Sequence, residues 1–306
     1  MDLKQIHYFN SLYEEGSVTR AARRLNIVQP ALSMQIAKLE EEIGQKLFER
    51  SSQGMLPTAA GQLAYSLFVP IVRDISEARR QISEGAGKVT GRIRVGMIAS
   101  VTNSVLASSL VAFAQRHPEV EVSIAEGYTT TLSDWVQAGL LDFAIVNRSR
   151  GRHDLPVIPI MDEEMVVVAN AAVELPVPSP VVCRDLPKLK LVLPSKRHGL
   201  RGIIDQVAEI EDLDLRPRLE VDTLAAIEEM VTQSDWCTIL PGIALHQGLT
   251  AGRLRAHPIV APRINRRIIC VRDPRRPLTP AGQLFIDVIS SDLNAAAEDL
   301  RLSSEE

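Results

Sequence analysis

Aromatic residues are scarce in this chain: Phe, Trp and Tyr together make up 4% of its 306 residues. A binding site built mainly by aromatic stacking is therefore not expected. Cysteine is scarcer still. Cys183, Cys237 and Cys270 stand far apart. An odd, dispersed set makes neither a disulfide framework nor a zinc spacing, so the three read as small buried apolar side chains. No apolar run approaches the roughly 18 to 20 residues that a membrane span needs. The opening Met1-Asp2-Leu3-Lys4-Gln5 leads into an amphipathic pattern. No secretory signal is expected from it, and the expected compartment is the cytoplasm. A His-Glu metal helix, a Gly-x-Ser-x-Gly elbow, a Walker loop and a dinucleotide fingerprint are all missing. Neither enzymatic activity nor a metal or cofactor is expected.

Charge of one sign is lacking too. The net charge is −4. Residues 1–60 hold seven basic side chains (Lys4, Arg20, Arg23, Arg24, Lys38, Lys46, Arg50) against seven acidic ones. Bulk charge thus fails the usual first test for a nucleic-acid-binding protein, and placement has to carry that argument. What is present is an ordinary globular composition, 45% hydrophobic and 24% charged, in a length that fits about two or three domains.

The first sixty residues carry helical periodicity. Leu3, Ile6, Phe9, Leu12 and Tyr13 form one stripe. Gly16-Ser17 stops that helix and caps the next, in which Val18, Ala21, Ala22 and Leu25 share a face. Asn26-Ile27-Val28-Gln29 reads as a short turn, and Pro30 suits the first position of a third helix ending at Gly44. On that helix Leu32, Ile36, Leu39 and Ile43 define the buried face. Pro30, Met34, Ala37, Lys38 and Glu41 point away from it, with Ser33 on the flank. Such a helix can enter the major groove. Glu40, Glu41 and Glu42 would repel DNA, so the far end of the helix is expected to leave the groove.

Residues 46–58 read as strand, turn, strand: a wing. Thr58 then caps a long helix to about Gly85. Its stripe of Ala60, Leu63, Ala64, Leu67, Ile71, Ile75, Ala78 and Ile82 falls near heptad spacing and calls for a partner helix, hence a dimer. Pro70 is expected to kink this helix. The run from Glu84 to Lys88 reads as a hinge, and Ser303-Ser304-Glu305-Glu306 as a frayed end.

From residue 91 strands alternate with helices. Strands are expected at 93–98, 120–125, 143–147, 165–169, 189–193, 219–222, 237–240, 253–258 and 268–272. Helices are expected at 103–116, 130–138, 199–210, 223–233 and 280–300. Alternation of this kind implies an α/β fold with mostly parallel sheets. Two such halves fit, with the chain returning to the first near Asn265.

The stretch from Glu15 to Glu40, which contains Ser17-Val18-Thr19-Arg20-Ala21-Ala22-Arg23-Arg24-Leu25 and Gln29-Pro30-Ala31-Leu32-Ser33, resembles the helix-turn-helix of LysR-type transcriptional regulators nearly position by position. Leu47-Phe48-Glu49-Arg50 and Pro57-Thr58-Ala59-Ala60-Gly61 are similar to that family's wing and the start of its linker. Gly139-Leu140-Leu141-Asp142-Phe143-Ala144-Ile145 resembles its regulatory domain. Leu193-Pro194-Ser195, His198-Gly199-Leu200-Arg201 and Glu220-Val221-Asp222-Thr223-Leu224 resemble the branch related to nitrogen-assimilation control proteins. One departure is Ser234-Asp235-Trp236-Cys237, where many relatives have a glycine pair. Trp236 either reshapes a cleft or fills a core gap.

The resemblance implies an all-α winged helix-turn-helix domain over residues 1–58 and a linker or dimerisation helix and hinge over 59–90. Residues 91–302 would form a periplasmic-binding-protein-like α/β domain of two Rossmann-like subdomains, about 91–162 with 266–302, and about 163–265. The function implied is sequence-specific regulation of transcription. The partners implied are double-stranded promoter DNA, RNA polymerase, a small-molecule effector and further copies of the chain, as a dimer or tetramer; no membrane is implied. The third helix would read bases. Gln29 suits adenine, Ser33 can bond to several bases, and Pro30 allows close backbone approach. Met34 suits a thymine methyl and Lys38 a phosphate, while Arg20, Arg23, Arg24 and Arg50 would position the domain on phosphates.

The family holds its effector between the two α/β halves, and open α/β sheets bind ligands in crevices at strand ends. Ser100, Thr102 and Asn103 follow the first strand at a helix start, where an anion, typically a carboxylate, is favoured. Thr223 opens another helix in the same way. Ser195, His198 and Arg201 border a strand-to-helix loop, and Tyr128, Thr129 and Asn147 fall at strand ends. Two other readings stay open: a regulator that acts without an effector, and a plain small-molecule binding protein.

Overall fold

Asp2 starts the first helix in the computed structural model of the chain, which describes residues 1–51, 54–84, 89–148 and 155–303. The Asp2 carboxylate accepts from Gln5 N at 2.8 Å while Asp2 N donates to Gln5 Oε1 at 2.9 Å, so two orphan groups at the start of α1 (Leu3–Glu15) satisfy each other. Gly16 ends the helix in the left-handed region at φ 59°, and Ser17 caps α2 (Val18–Arg24). Helix α3 (Gln29–Ile43) begins one residue earlier than expected, with Val28 as its cap and Pro30 in its first turn. Strands β1 (Phe48–Ser51) and β2 (Gly54–Pro57) pair antiparallel as the wing. Gly54 lies at φ 124°, and a Cβ there would collide with the Gly16 carbonyl, which accepts from Met55 N at 2.9 Å. The wing therefore docks on the end of α1 only because residue 54 lacks a side chain.

Phe9, Leu12, Leu32, Leu39, Leu47 and Phe48 form the core of this unit. Ile43 was expected there and is instead 40% exposed, while Glu40 is buried. The Glu40 carboxylate accepts from Leu47 N at 2.9 Å, Phe48 N at 3.2 Å and Lys46 Nζ at 2.7 Å. It ties the end of α3 to the wing rather than facing outward with Glu41 and Glu42.

Thr58 Oγ1 accepts from Gly61 N at 3.0 Å and starts α4 (Ala59–Glu84), which continues through Pro70 as one helix. Ala64 and Phe68 face the core, whereas Leu63, Leu67 and Ile71 are exposed at 62%, 57% and 40%. The expected hinge at residues 85–88, the wing tip at Ser52 and Gln53 and the tail from residue 304 lie outside the described residues.

The chain divides into two compact units, residues 1–88 with 138–140 and residues 89–137 with 141–306. The second begins with β3 (Gly91–Met97), then α5 (Ala99–Val101), which runs through a π-helical turn (Thr102–Leu106) into α6 (Ala107–Arg116). There follow β4 (Val120–Glu126), α7 (Thr129–Gln137), β5 (Phe143–Asn147), β6 (Val157–Asn170) and β7 (Val181–Val182). Next come β8 (Val192–Leu193), α8 (Gly199–Ile210), β9 (Leu219–Glu220), α9 (Leu224–Thr232) and β10 (Thr238–Pro241). The last elements are α10 (His246–Thr250), β11 (Leu254–Val260), β12 (Asn265–Arg272) and α11 (Pro280–Ser303).

The expectation of mostly parallel sheets is corrected. Strand β3 is parallel to β4 and β5, but β12 runs antiparallel to β5 and β6, and β10 and β11 run antiparallel to β6. The cause is the double passage of the chain between two cores. Ile160 and Met161 of β6 pack in the first core with Val95, Ile145 and Phe285. Met165 and Val167 of the same strand pack in the second with Leu193, Ile204 and Ile227. Outgoing β6 and returning β12 must lie antiparallel.

Candidate functional site

In the first unit, Thr19, Ala22 and Arg23 of α2 and Val28, Gln29, Pro30 and Ser33 around the start of α3 line one open concave face. Gln29 and Pro30 are exposed and Ser33 is half-buried. Val28 and Met34 are exposed at 69% and 63%. Lys38 and Arg50 are also exposed. The four arginines expected on phosphates divide. Arg24 pairs with Glu14 at 2.7 Å and Glu15 at 3.3 Å, and Arg20 pairs with Glu15 at 3.4 Å. These acids absorb part of their charge within the domain. Arg23 forms no ion pair among the described residues and stands on the concave face.

Sequence reasoning missed Thr19 and Val28. Valine is a poor helix cap, and Val28 makes no capping hydrogen bond. An apolar cap directly before Gln29-Pro30 was the available signal.

In the second unit a cavity of about 280 Å³ opens between elements of the two cores. Ile98, Ala99, Asn103, Glu126, Gly127, Tyr128, Thr129 and Asn147 line it from the first, and His198, Gly199, Asp222, Thr223, Leu224 and Ala225 from the second. Helices α7, α8 and α9 all begin on this lining, so the positive ends of three helix dipoles converge there. Gly199 keeps the start of α8 open. A Cβ there would stand 3.3 Å from Asn147 Nδ2 and 3.5 Å from Thr129 Oγ1. Thr129 is 7% exposed, and its Oγ1 has no hydrogen-bond partner among the described residues.

Tyr128 donates to Asp222 Oδ2 at 2.8 Å across the cleft, and Asp222 also accepts from Ser195 N at 2.8 Å and Ser195 Oγ at 3.0 Å. The bond to Asp222, with burial, pushes the Tyr128 phenol up. Burial alone would raise the Asp222 carboxyl, but the Ser195 and Tyr128 donors hold it below the usual carboxylate range. His198 packs edge-on against the Tyr128 ring, with centroids 5.8 Å apart. Burial pushes its imidazole down, Asp222 opposes this and Arg266 reinforces it. Its Nδ1 accepts from Leu200 N at 3.2 Å, so the neutral ring carries its proton on Nε2.

Residues 86–294 match the family described as the LysR substrate binding domain, and residues 3–62 match the bacterial regulatory helix-turn-helix proteins of the lysR family. The chain belongs to the LysR family. It is similar to the HTH-type transcriptional regulator BbuR of Bordetella bronchiseptica, 28% identical over 97% of this chain and 91% of that protein. The nitrogen assimilation regulatory protein nac of Klebsiella aerogenes is 25% identical over 95% of each chain, so the expected likeness to that branch holds without exceeding the likeness to BbuR. In fold it resembles a full-length OxyR variant from Pseudomonas aeruginosa, with a TM-score of 0.72 at 22% identity, over 95% of this chain and 97% of that one. The chain is thus a LysR-type DNA-binding transcriptional regulator with a substrate-binding domain.

Within this LysR substrate-binding domain, the expected effector residues divide as the arginines do. Asn103, Tyr128, Thr129, Asn147, His198 and Thr223 reach the cavity. Four others do not line it, and each is held by other groups of the domain. Ser100, 1% exposed, accepts from Arg266 Nη1 at 2.8 Å. The Thr102 hydroxyl stands within hydrogen-bond reach of the Ala99 carbonyl, at 3.0 Å, and of the Glu126 carboxylate, and its one proton serves one of them at a time. Ser195 serves Asp222. Arg201, 4% exposed, is held by Asp205 at 2.5 Å, Glu220 at 2.8 Å and the Pro194 carbonyl at 3.1 Å. Trp236 packs against the second core with Lys190 Nζ 4.7 Å from its ring, and does not line the cavity. Glu126, Gly199 and Asp222 are lining residues that sequence reasoning missed. Glu126 stood at a strand end beside residues already singled out. No helix among the described residues is long and apolar enough to cross a membrane.

Proposed function

We propose that this LysR-type regulator acts in the cytoplasm and is controlled by a small molecule that enters the cavity bounded by α7, α8 and α9. The observation that carries this is the Thr129 hydroxyl, buried and unpartnered on a lining where three helices start. Buried polar groups are nearly always bonded in folded proteins, and a ligand supplies the missing partner. Asn103, Tyr128, Asn147, His198 and Thr223 complete the effector set. Residues 1–58 carry the DNA-reading head, residues 59–90 the linker and residues 91–302 the effector domain.

On DNA, Gln29, Pro30 and Ser33 read base edges and Met34 a thymine methyl, while Arg23, Lys38 and Arg50 contact phosphates. Arg20 and Arg24 brace the helices through Glu14 and Glu15. One weakly basic head binds poorly, so affinity comes from several heads on paired half-sites. The exposed Leu63, Leu67 and Ile71 stripe of α4 joins two chains, and the effector domains join dimers into a tetramer. Effector binding favours one arrangement of the two α/β halves over another, which requires different affinity for the two. The change passes to the bend of promoter DNA and to RNA polymerase.

Band retardation of promoter DNA across a salt series, with the Gln29→Ala, Ser33→Ala and Arg50→Ala triple variant as comparison, tests the DNA half. Equal recognition by the triple variant would remove it. The effector half is tested by DNA bend angle with and without metabolites that raise the melting temperature. An angle that never changes favours a regulator that acts without an effector.

A further inference from the structure

The charge on the cavity lining is of one sign. Glu126 and Asp222 are its carboxylates, His198 is neutral, and among the described residues no Lys or Arg lines it. Two cations have fields that reach the site. Arg266 lies behind Ser100 and Asn147, bound to Glu163 at 2.6 Å. Arg197 acts on the Tyr128 phenol from outside the lining. A dicarboxylate would therefore meet two fixed negative charges with no Lys or Arg on the lining to pair with it. A simple amine would leave the opposite features unmatched: Thr129 Oγ1, the Asn147 amide turned toward Gly199, and the helix starts themselves.

The two carboxylates differ in availability. Asp222 already accepts from Ser195 N, Ser195 Oγ and Tyr128 Oη, most of what a carboxylate can take. Glu126 accepts only from the Thr102 hydroxyl among the described residues and is exposed to the cavity mouth. Glu126 ends β4 and Thr129 starts α7 with only Gly127 and Tyr128 between, so their backbones stand within about 10 Å of each other. One small molecule can span them. The volume of about 280 Å³ lies at the lower edge of ordinary ligand pockets.

We infer that the cavity binds a small zwitterion of the α-amino acid class, its carboxylate at the starts of α7 and α8 with Thr129 Oγ1 and Asn147 Nδ2, and its ammonium on Glu126. This rests on the reading of the cavity as the effector site. Neither charge alone satisfies the lining; the pair held close together does.

The test is a thermal-shift and calorimetric screen of the full chain. The probes are the common free amino acids, acetate, succinate and simple alkylamines, followed by the N-acetyl and carboxamide forms of any amino acid that binds. At least one amino acid is expected to raise the melting temperature. Both of its blocked forms should bind at least about tenfold more weakly. Glu126→Gln should lose at least about tenfold in affinity for the zwitterion, with far less change for its N-acetyl form. The inference is overturned if no amino acid binds, if succinate or acetate binds and none of them does, or if N-acetylation leaves affinity unchanged. Salt-dependent retardation of promoter DNA separates the two readings. A chain that binds promoter DNA but no amino acid keeps the regulator assignment and loses only the ligand class.

Discussion

Arg266 and Glu163 face each other across β12 and β6, the two strands by which the chain passes between the cores of the second unit. Arg266 Nε and Nη2 donate to Glu163 Oε2 at 2.9 and 2.6 Å, and Nη1 donates to Ser100 Oγ at 2.8 Å and Asn147 Oδ1 at 3.3 Å. The other Glu163 oxygen accepts from Ile243 N at 3.1 Å. The Arg266 side chain is fully buried and that of Glu163 is 10% exposed, so either charge alone would be stranded in low dielectric. Removing one partner of such a pair costs about 3–5 kcal/mol. Arg266→Ala is expected to lose that much in urea denaturation. Because Asn147 lines the cavity, the variant should also lose effector response.

Gln29 and Arg23 should fail in different ways on DNA. Gln29→Ala is expected to relax base preference at one position, by about 1–3 kcal/mol of discrimination. Arg23→Ala should weaken binding to all sequences and lower the slope of log affinity against log salt by about 1. Arg24→Ala breaks the pairs with Glu14 and Glu15 and should leave that slope nearly unchanged. Titrations at several salt concentrations against specific and scrambled duplexes check all three.

Glu40 sets the wing against α3. Burial alone would raise its carboxyl, yet the Lys46 ammonium and the N–H groups of Leu47 and Phe48 hold it below the usual range. Glu40→Ala leaves two buried N–H donors without an acceptor, at about 1–3 kcal/mol for each. Glu40→Gln keeps an acceptor and should cost less. Urea midpoints of the two variants give the comparison.

Two buried imidazoles make stability depend on pH. Burial pushes His198 down, and burial with Arg255 pushes His257 down. Each binds a proton more readily in the unfolded chain, whose imidazoles titrate near about pH 6.5. Their contribution is therefore complete above about pH 6.5 and is lost as the pH falls below it. Melting temperature should decline from about pH 7 toward about pH 5, and His257→Gln should flatten the decline.

The three cysteines of the native chain are expected to be unreactive. Cys183, Cys237 and Cys270 are all buried and free. Burial pushes the Cys237 thiol up to about 11 and the Cys270 thiol up to about 12. Thiols held in that form are poor nucleophiles. The native chain is expected to resist a disulfide thiol reagent at about pH 7 and to react at all three positions in urea.

Local order was legible from the sequence wherever residues near one another in the chain decide the structure. Gly16-Ser17 ends one helix and caps the next, and α8 at Gly199–Ile210 has its expected bounds, because capping and apolar periodicity act within a few residues. The outward placement of Pro30 and Met34 on α3 followed from the same periodicity. Strand β6 shows the opposite case. Its middle, Asp162-Glu163-Glu164, breaks the apolar pattern and reads as loop, yet it pairs in register with Arg267, Arg266 and Asn265 about a hundred residues later. The fates of Glu40, Ser100 and Arg201 were likewise decided only by tertiary structure. A charged or hydroxyl side chain is compatible with solvent, DNA, ligand or a buried partner. Which of these it meets depends on groups distant in sequence, and the desolvation of the buried choice is offset only when folding delivers the matching partner.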